Sequence, residues 1–313
     1  MRVHPGMIWV RASVHESRRA GAQLVDVDHL LLGLLAVGGA AARVLGRHGV
    51  TLDGLRQRVG SAGAEEEGDV YWHATDRAQA VVDASGSAAG TVDLVARLLD
   101  EPPVRDLVAA EGADVDALLA ELGSTPDGYA SEPVAPDPEL LPTSGYAFRS
   151  TTFLSAPAVR VAEALTDPQV LRAFAWGPGI EVSDDGLTGS RTRRGRTTTL
   201  RAALRDGGNG EDPALRDARF ARSSGTGDGR APSSGTGVAG TVVWVFVADD
   251  GRVMKYERFE VAEAPGGCEV TREHGFRIVG LATRLLQSLS GGPKGWDEVF
   301  VGHQIAAHVA RRQ

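Results

Sequence analysis

Arg272, His274 and Phe276 occupy alternate positions of the run CEVTREHGFRI. On a strand, alternate positions share a face. Cys268 and Val270 have the same parity, leaving Glu269, Thr271 and Glu273 on the other side. If Phe276 points into an apolar interior, His274 and Arg272 point there too, placing two polar groups in an apolar wall, the usual composition of a ligand pocket. Arg272 would orient an anionic group, and His274 is of the type that carries protons in general acid–base work. Trp244 and Phe246 share a face of the run GTVVWVFVADD, and Trp176 ends a short helical run, so all three are candidates for the same lining. Plain core packing also accounts for the aromatics, and a satisfied buried or rim histidine accounts for His274. A register shift of one residue would turn the set outward together.

Other motifs with chemical potential do not complete. The chain has no GxSxG elbow, and His303 and His308 lie five apart with no HExxH, so neither acyl transfer nor a metal ligand set is indicated. A GxxxxGK[ST] phosphate loop is absent; GGPKGW at 291–296 has a lysine among glycines but the wrong spacing. RTRRGR at 191–196 is a basic cluster that reads as charge protecting an exposed edge strand. Cys268 is the one cysteine, which excludes an internal disulfide and suits a reducing cytosol. No cofactor and no metal are expected.

The 313 residues suffice for two domains. A net charge of −8 argues against a dedicated nucleic-acid or anionic-membrane binder. No uncharged apolar run approaches the roughly 20 residues that span a bilayer, and the first 21 residues lack the apolar core of a signal peptide. Lysine occurs only at 255 and 294 amid abundant arginine, alanine and glycine, as in a GC-rich bacterial genome. The expected setting is a bacterial cytoplasm, with no nucleic acid and no membrane as partner.

The first third is one unit written twice. VDHLLLGLLAVGGAAARVLGRHGVTLDGLRQRVG lies over VDLVARLLDEPPVRDLVAAEGADVDALLAELG, with Gly49 on Gly112, Asp53 on Asp116, Leu55 on Leu118 and Gly60 on Gly123. A period of roughly 60 residues suits a small helical bundle. Leu30, Leu31, Leu34 and Leu35 fall on one helical face behind Asp26 or Asp28 as N-terminal caps, and Pro102-Pro103 breaks the second copy where Gly38-Gly39 breaks the first.

VDHLLLGLLAVGGAAARVLGRHGV resembles the signature of the N-terminal repeat domain of Clp unfoldases, the ClpC type in particular. The resemblance covers residues 5–123 approximately and implies two four-helix repeats packed as one all-α domain. In unfoldases this domain docks adaptors and substrates, and in some relatives it recognises phosphorylated arginine. The acidic residue of the family's triplet falls on Asp28, beside His29, in the first copy and on Val92 in the second. Asp28 and His29 are thus the docking candidates the resemblance implies, with Clp protease components or clients as partners and the ATPase missing.

STPDGYASEPVAPDPELLPTSG, 124–145, carries five prolines and reads as a semi-extended linker. Strands follow. FRSTTFLSAPAVRVAEALTDPQVLRAF resembles the opening of the polyketide-cyclase and START-like superfamily, in which a strand runs into two short helices. The resemblance covers 146–312 approximately and implies a curved antiparallel sheet gripping a C-terminal helix over an apolar cavity. A Gly/Ser-rich insertion over 206–240 approximately interrupts it.

The expected architecture is therefore multidomain: an all-α double repeat over 1–123, a linker over 124–145, and an α+β helix-grip domain over 146–313. The expected function is a non-enzymatic binding or adaptor protein whose first domain engages an adaptor, a client or a Clp-targeting small molecule, and whose second domain binds a hydrophobic small molecule. Two alternatives stay open: a cyclase- or hydrolase-like enzyme acting in the cavity, and a co-chaperone of a chaperone ATPase.

Overall fold

A computed structural model describes residues 6–60, 72–85, 90–126, 131–141, 145–176, 180–193, 196–205, 238–277 and the two positions 305 and 309. The Gly/Ser-rich stretch 206–237 and most of the last helical run lie outside the described residues.

The repeat is visible as two sets of four helices. The first comprises α1 (Gly6–Arg19), α2 (Val27–Val37), α3 (Ala40–Arg47) and α4 (Leu52–Val59); the second comprises α5 (Asp76–Ser85), α6 (Thr91–Leu98), α7 (Pro102–Ala110) and α8 (Val115–Ser124). Local chemistry fixes the boundaries. Asp26 caps α2, accepting from the Val27 N–H at 2.8 Å, while His29 Nδ1 accepts from the Asp26 N–H at 3.0 Å, a reciprocal cap. Thr51 caps α4 and Asp114 caps α8 through side-chain oxygens. The aligned glycines Gly49 and Gly112 both adopt positive φ, +82° and +88°, at the end of their helices, where a Cβ would be strained.

These helices close over one apolar interior, with Leu30, Leu31, Leu34 and Leu35 of α2 at its centre and Leu98, Val104 and Leu118 contributed by the second repeat. The α1–α2 crossing is close: a Cβ on Gly33 would stand 2.2 Å from Ser13 Oγ. Glu16 and Arg56 form a buried two-bond ion pair, 2.6 and 3.0 Å, tying α1 to α4. His48 Nε2 lies 2.8 Å from Glu121 Oε2, joining one repeat to the other.

The rest of the chain builds an eight-stranded antiparallel sheet. Its strands are β1 (Ser131–Val134), β2 (Gly145–Leu154), β3 (Glu181–Val182), β4 (Thr188–Arg193), β5 (Arg196–Arg205), β6 (Val238–Ala248), β7 (Val253–Ala264) and β8 (Gly267–Arg277). The order is β1-β2-β8-β7-β6-β5-β4-β3, so the chain leaves β2, crosses to the far edge and winds back to β2 through β8. The crossing is made by α9 (Ala158–Leu165) and α10 (Pro168–Phe174), separated where Asp167 caps α10 and Pro168 starts it.

The two faces of the sheet are covered differently. On the inner face, Val161 and Leu165 of α9 and Leu171 of α10 bury against Val242, Phe246, Phe259, Val261 and Val270. Ile305 and Val309, both helical and one turn apart, join that same cluster. Sheet, two short helices and these two helical positions thus share one side, as in a helix grip. On the outer face, the proline-rich segment contributes β1 to the sheet edge and turns at 138–140. Its Leu140 and Leu141 bury against Ala147, Val243, Val245 and Tyr256. Asp137 is pinned there as well, its N–H donating to Tyr256 Oη at 3.1 Å and its carboxylate accepting from Arg258 at 2.8 Å.

Among the described residues no single helix is long and apolar enough to cross a membrane; the apolar pair α2 and α3 is bent by 102° and belongs to the helical core.

Candidate functional site

The inner face changes character along the strands. At the end nearest α9 it is apolar: Leu154, Val261, Cys268 and Val270. In the middle, alternation brings Glu257 of β7 level with Trp244 of β6 and His274 of β8. At the far end Lys255 stands between Phe246 and Phe276 in register.

Five of the six residues nominated from sequence for the lining lie on this face, and the sixth, Trp176, follows α10 and packs over it. Trp244 is buried, its Nε1 donating to the Leu165 carbonyl at 2.8 Å, which binds the sheet to α9. Trp176 donates to the Gly186 carbonyl at 3.0 Å and meets Phe246 edge-on, with ring centroids 5.0 Å apart. His274 lies edge-on to Phe276 at 5.0 Å and tilted against Phe148 at 5.7 Å. Tyr146 stacks on Phe276 at 5.6 Å. The wall at this end is therefore a tile of rings from β2 and β8, facing Phe246 and Trp176 across the Lys255 side chain.

Sequence reasoning nominated Arg272 but missed Glu257 and Lys255 beside it. Arg272 grips Glu257 with two bonds, Nε to Oε2 at 2.8 Å and Nη2 to Oε1 at 3.0 Å. Lys255 Nζ approaches Glu257 Oε1 at 2.6 Å, donates to the Ala175 carbonyl at 2.7 Å, and sits 5.0 Å and 5.4 Å from the Phe246 and Phe276 ring centres. Both ring contacts are in range for a cation–π attraction. Glu257 is fully buried, which by itself pushes its carboxyl up; Arg272 and then Lys255 outweigh burial and hold it down to about 2. At neutral pH the centre is an ionised carboxylate clamped by two cations. The signal was present: Lys255 and Glu257 share parity with the apolar Phe259 and Val261, so alternation alone assigns them inward.

Cys268 lies deep in the apolar end, and burial pushes its thiol up to about 12, away from nucleophilic use. The basic run 191–196 straddles the end of β4 and the start of β5, with 194–195 outside the described residues. Among the described residues no three His, Cys, Asp or Glu are grouped to hold a metal ion.

In the helical part, Asp28 and His29 sit in the first turn of α2. His29 is buried in the cap, its Nδ1 accepting from Asp26 and lying 3.2 Å from Asp28 Oδ1. Asp28 keeps a third of its side chain exposed and accepts from the His29 N–H at 2.8 Å. Asp26 also accepts from Thr75 Oγ1 at 2.8 Å, which locks the start of α2 to the start of the second repeat. Of the two docking candidates, only Asp28 presents an accessible polar group.

Residues 9–93 match the family model of the Clp repeat (R) N-terminal domain. Among solved structures, the chain is similar to protein CV1439 from Chromobacterium violaceum, at 16% identity over 52% of this chain and 97% of that one, with a TM-score of 0.29. Protein Ms6760 from Mycobacterium smegmatis shows 15% identity over 58% and 96%, with a TM-score of 0.27. Ara h 8.0201 shows 12% identity over 53% and 98%, with a TM-score of 0.26. No curated protein matches the chain.

Proposed function

We propose that this chain, which carries a Clp repeat N-terminal domain at residues 9–93 ahead of a helix-grip sheet, is a binding protein of the bacterial cytoplasm that joins protein docking to small-molecule binding. The helical part, 1–123, would dock a Clp protease component or client, with the exposed carboxylate of Asp28 at the contact. The sheet part, 146–313, would take a largely apolar molecule on its inner face. The sequence holds no phosphate loop for ATP, so work on a docked client would fall to a separate ATPase.

One observation carries the small-molecule reading. Trp176, Phe246, Phe276, Tyr146 and Phe148 are gathered at one end of the inner face around a charged centre, and four of them are only partly buried. Apolar surface grouped around a few fixed polar atoms is the usual make-up of a ligand site. Titration with the uncharged probe N-phenyl-1-naphthylamine tests it. The probe should bind, and Phe276→Ala should weaken it by about 1–3 kcal/mol through lost contact and a widened site. Equal binding by the variant and the wild type would reject this end of the sheet as the site. The docking reading is tested separately, by interferometry of the purified chain and an Asp28→Ala variant against purified Clp protease components.

A further inference from the structure

The elbow between α2 and α3 touches the sheet. Phe153 lies on the outer face of β2, next to Leu154 on the inner face, yet its ring is buried in the helical core and not in the sheet's. Its carbonyl accepts from the Gly39 N–H at 2.8 Å. The turn joining β7 to β8 closes the other side. A Cβ on Gly46 would come within 2.5 Å of the Pro265 carbonyl oxygen, and one on Gly266 within 2.5 Å of Gly46 Cα. Arg43 Nε pairs with Glu269 Oε1 at 3.1 Å at the rim; both side chains are more than a third exposed, so that pair adds little on its own.

We infer that this elbow and α3 form a socket for one edge of a sheet, an aromatic side chain from one strand beside the turn of the neighbouring hairpin, filled here by the chain's own sheet, so that the helical part and the sheet move and unfold as one body. The buried Phe153 ring supplies the apolar contact, and the glycines let two backbones meet without intervening side chains. The second repeat has no such socket. At the offset that pairs Gly49 with Gly112, Pro102 stands where Gly39 does and has no N–H to give, and Ala109 replaces Gly46. The device thus belongs to the first repeat alone. Anything docked on the helical part is then held at a set distance and angle from the inner face of the sheet. The socket stands on its own geometry and does not depend on whether that face binds a ligand.

Gly46→Ala in the full chain separates the alternatives, because alanine favours helix α3 in isolation while its methyl group collides with the hairpin. In calorimetry the wild type should melt in one transition and Gly46→Ala in two. Hydrogen exchange of the Gly39 amide, which Phe153 protects, should quicken about tenfold or more in the variant. The charge reversals Arg43→Glu and Glu269→Arg should each quicken that amide slightly, and the double reversal should restore it. Two transitions in the wild type, or one transition with an unchanged Gly39 amide in Gly46→Ala, would overturn the inference. Binding of N-phenyl-1-naphthylamine to the same samples reports separately on the ligand reading.

Discussion

Arg272 reaches diagonally from β8 to β7 and closes a two-bond pair on Glu257, at 2.8 and 3.0 Å, with no solvent contact for the carboxylate. The guanidinium that the sequence nominates to orient a ligand is engaged in holding a buried acid. A bidentate pair of this kind is directional and charge-assisted, and its value lies chiefly in not being broken. Removing one partner leaves an uncompensated charge in a low-dielectric interior.

Arg272→Ala should therefore destabilise the chain by about 3–5 kcal/mol, read as a shift of the urea midpoint at constant slope. The same substitution in a Glu257→Gln background should cost much less, because no buried carboxylate is stranded. A loss below about 1 kcal/mol in the single variant would mean that water or other cations replace the guanidinium freely.

Acid should reveal the same cluster. The folded state holds the Glu257 carboxyl down to about 2, below its ordinary 4.5. A carboxyl depressed on folding binds protons more readily when unfolded, so its contribution is present above pH 4.5 and is lost as pH falls from there toward 2. Stability against urea should fall through that window, and Glu257→Gln should flatten the fall. Parallel profiles for variant and wild type would exclude Glu257 as the group responsible.

The outer face offers an independent measurement. Tyr256 Oη accepts from the Asp137 N–H and donates to Glu273 Oε1 at 2.7 Å, while Leu141 buries beside its ring. Tyr256→Phe should cost about 1–2 kcal/mol by leaving a buried carboxylate oxygen short of a donor. Leu141→Ala should cost about 2–5 kcal/mol through lost burial and the cavity left behind. A proline-rich segment with no role in packing would leave Leu141→Ala as stable as the wild type.

Much of this was legible in the sequence, for identifiable reasons. The duplicated helices could be read because Leu30, Leu31, Leu34 and Leu35 repeat at helical spacing and the paired glycines Gly49 and Gly112 mark the same turn twice. That Arg272, His274 and Phe276 share one face follows from strand alternation alone. Asp26, not Asp28, proved to be the cap of α2; both are carboxylates at a helix start, and only backbone geometry separates them. The Arg272–Glu257 pair was not legible, because it joins residues on two strands and depends on their register. Nor was the burial of Phe153 in the helical core, since strand alternation gives the face on which a side chain lies but not the body that covers it.

The helical part provides the last prediction. If residues 1–123 form a domain, a fragment ending at 126 should be strongly helical by circular dichroism and melt cooperatively, because both sets of four helices lie within it and share one apolar interior. It should also be less stable than the same helices in the intact chain, since the fragment lacks Phe153 and exposes the apolar pocket that its ring fills. The deficit should resemble a large-to-small core substitution at Phe153, about 3–5 kcal/mol. Phe153→Ala in the full chain should lower the stability of the helical part by a similar amount, which removes doubt about fragment design. A disordered fragment would reject the division of the chain near residue 124. A fragment as stable as the intact helices would show that Phe153 contributes nothing to their core, despite its burial there.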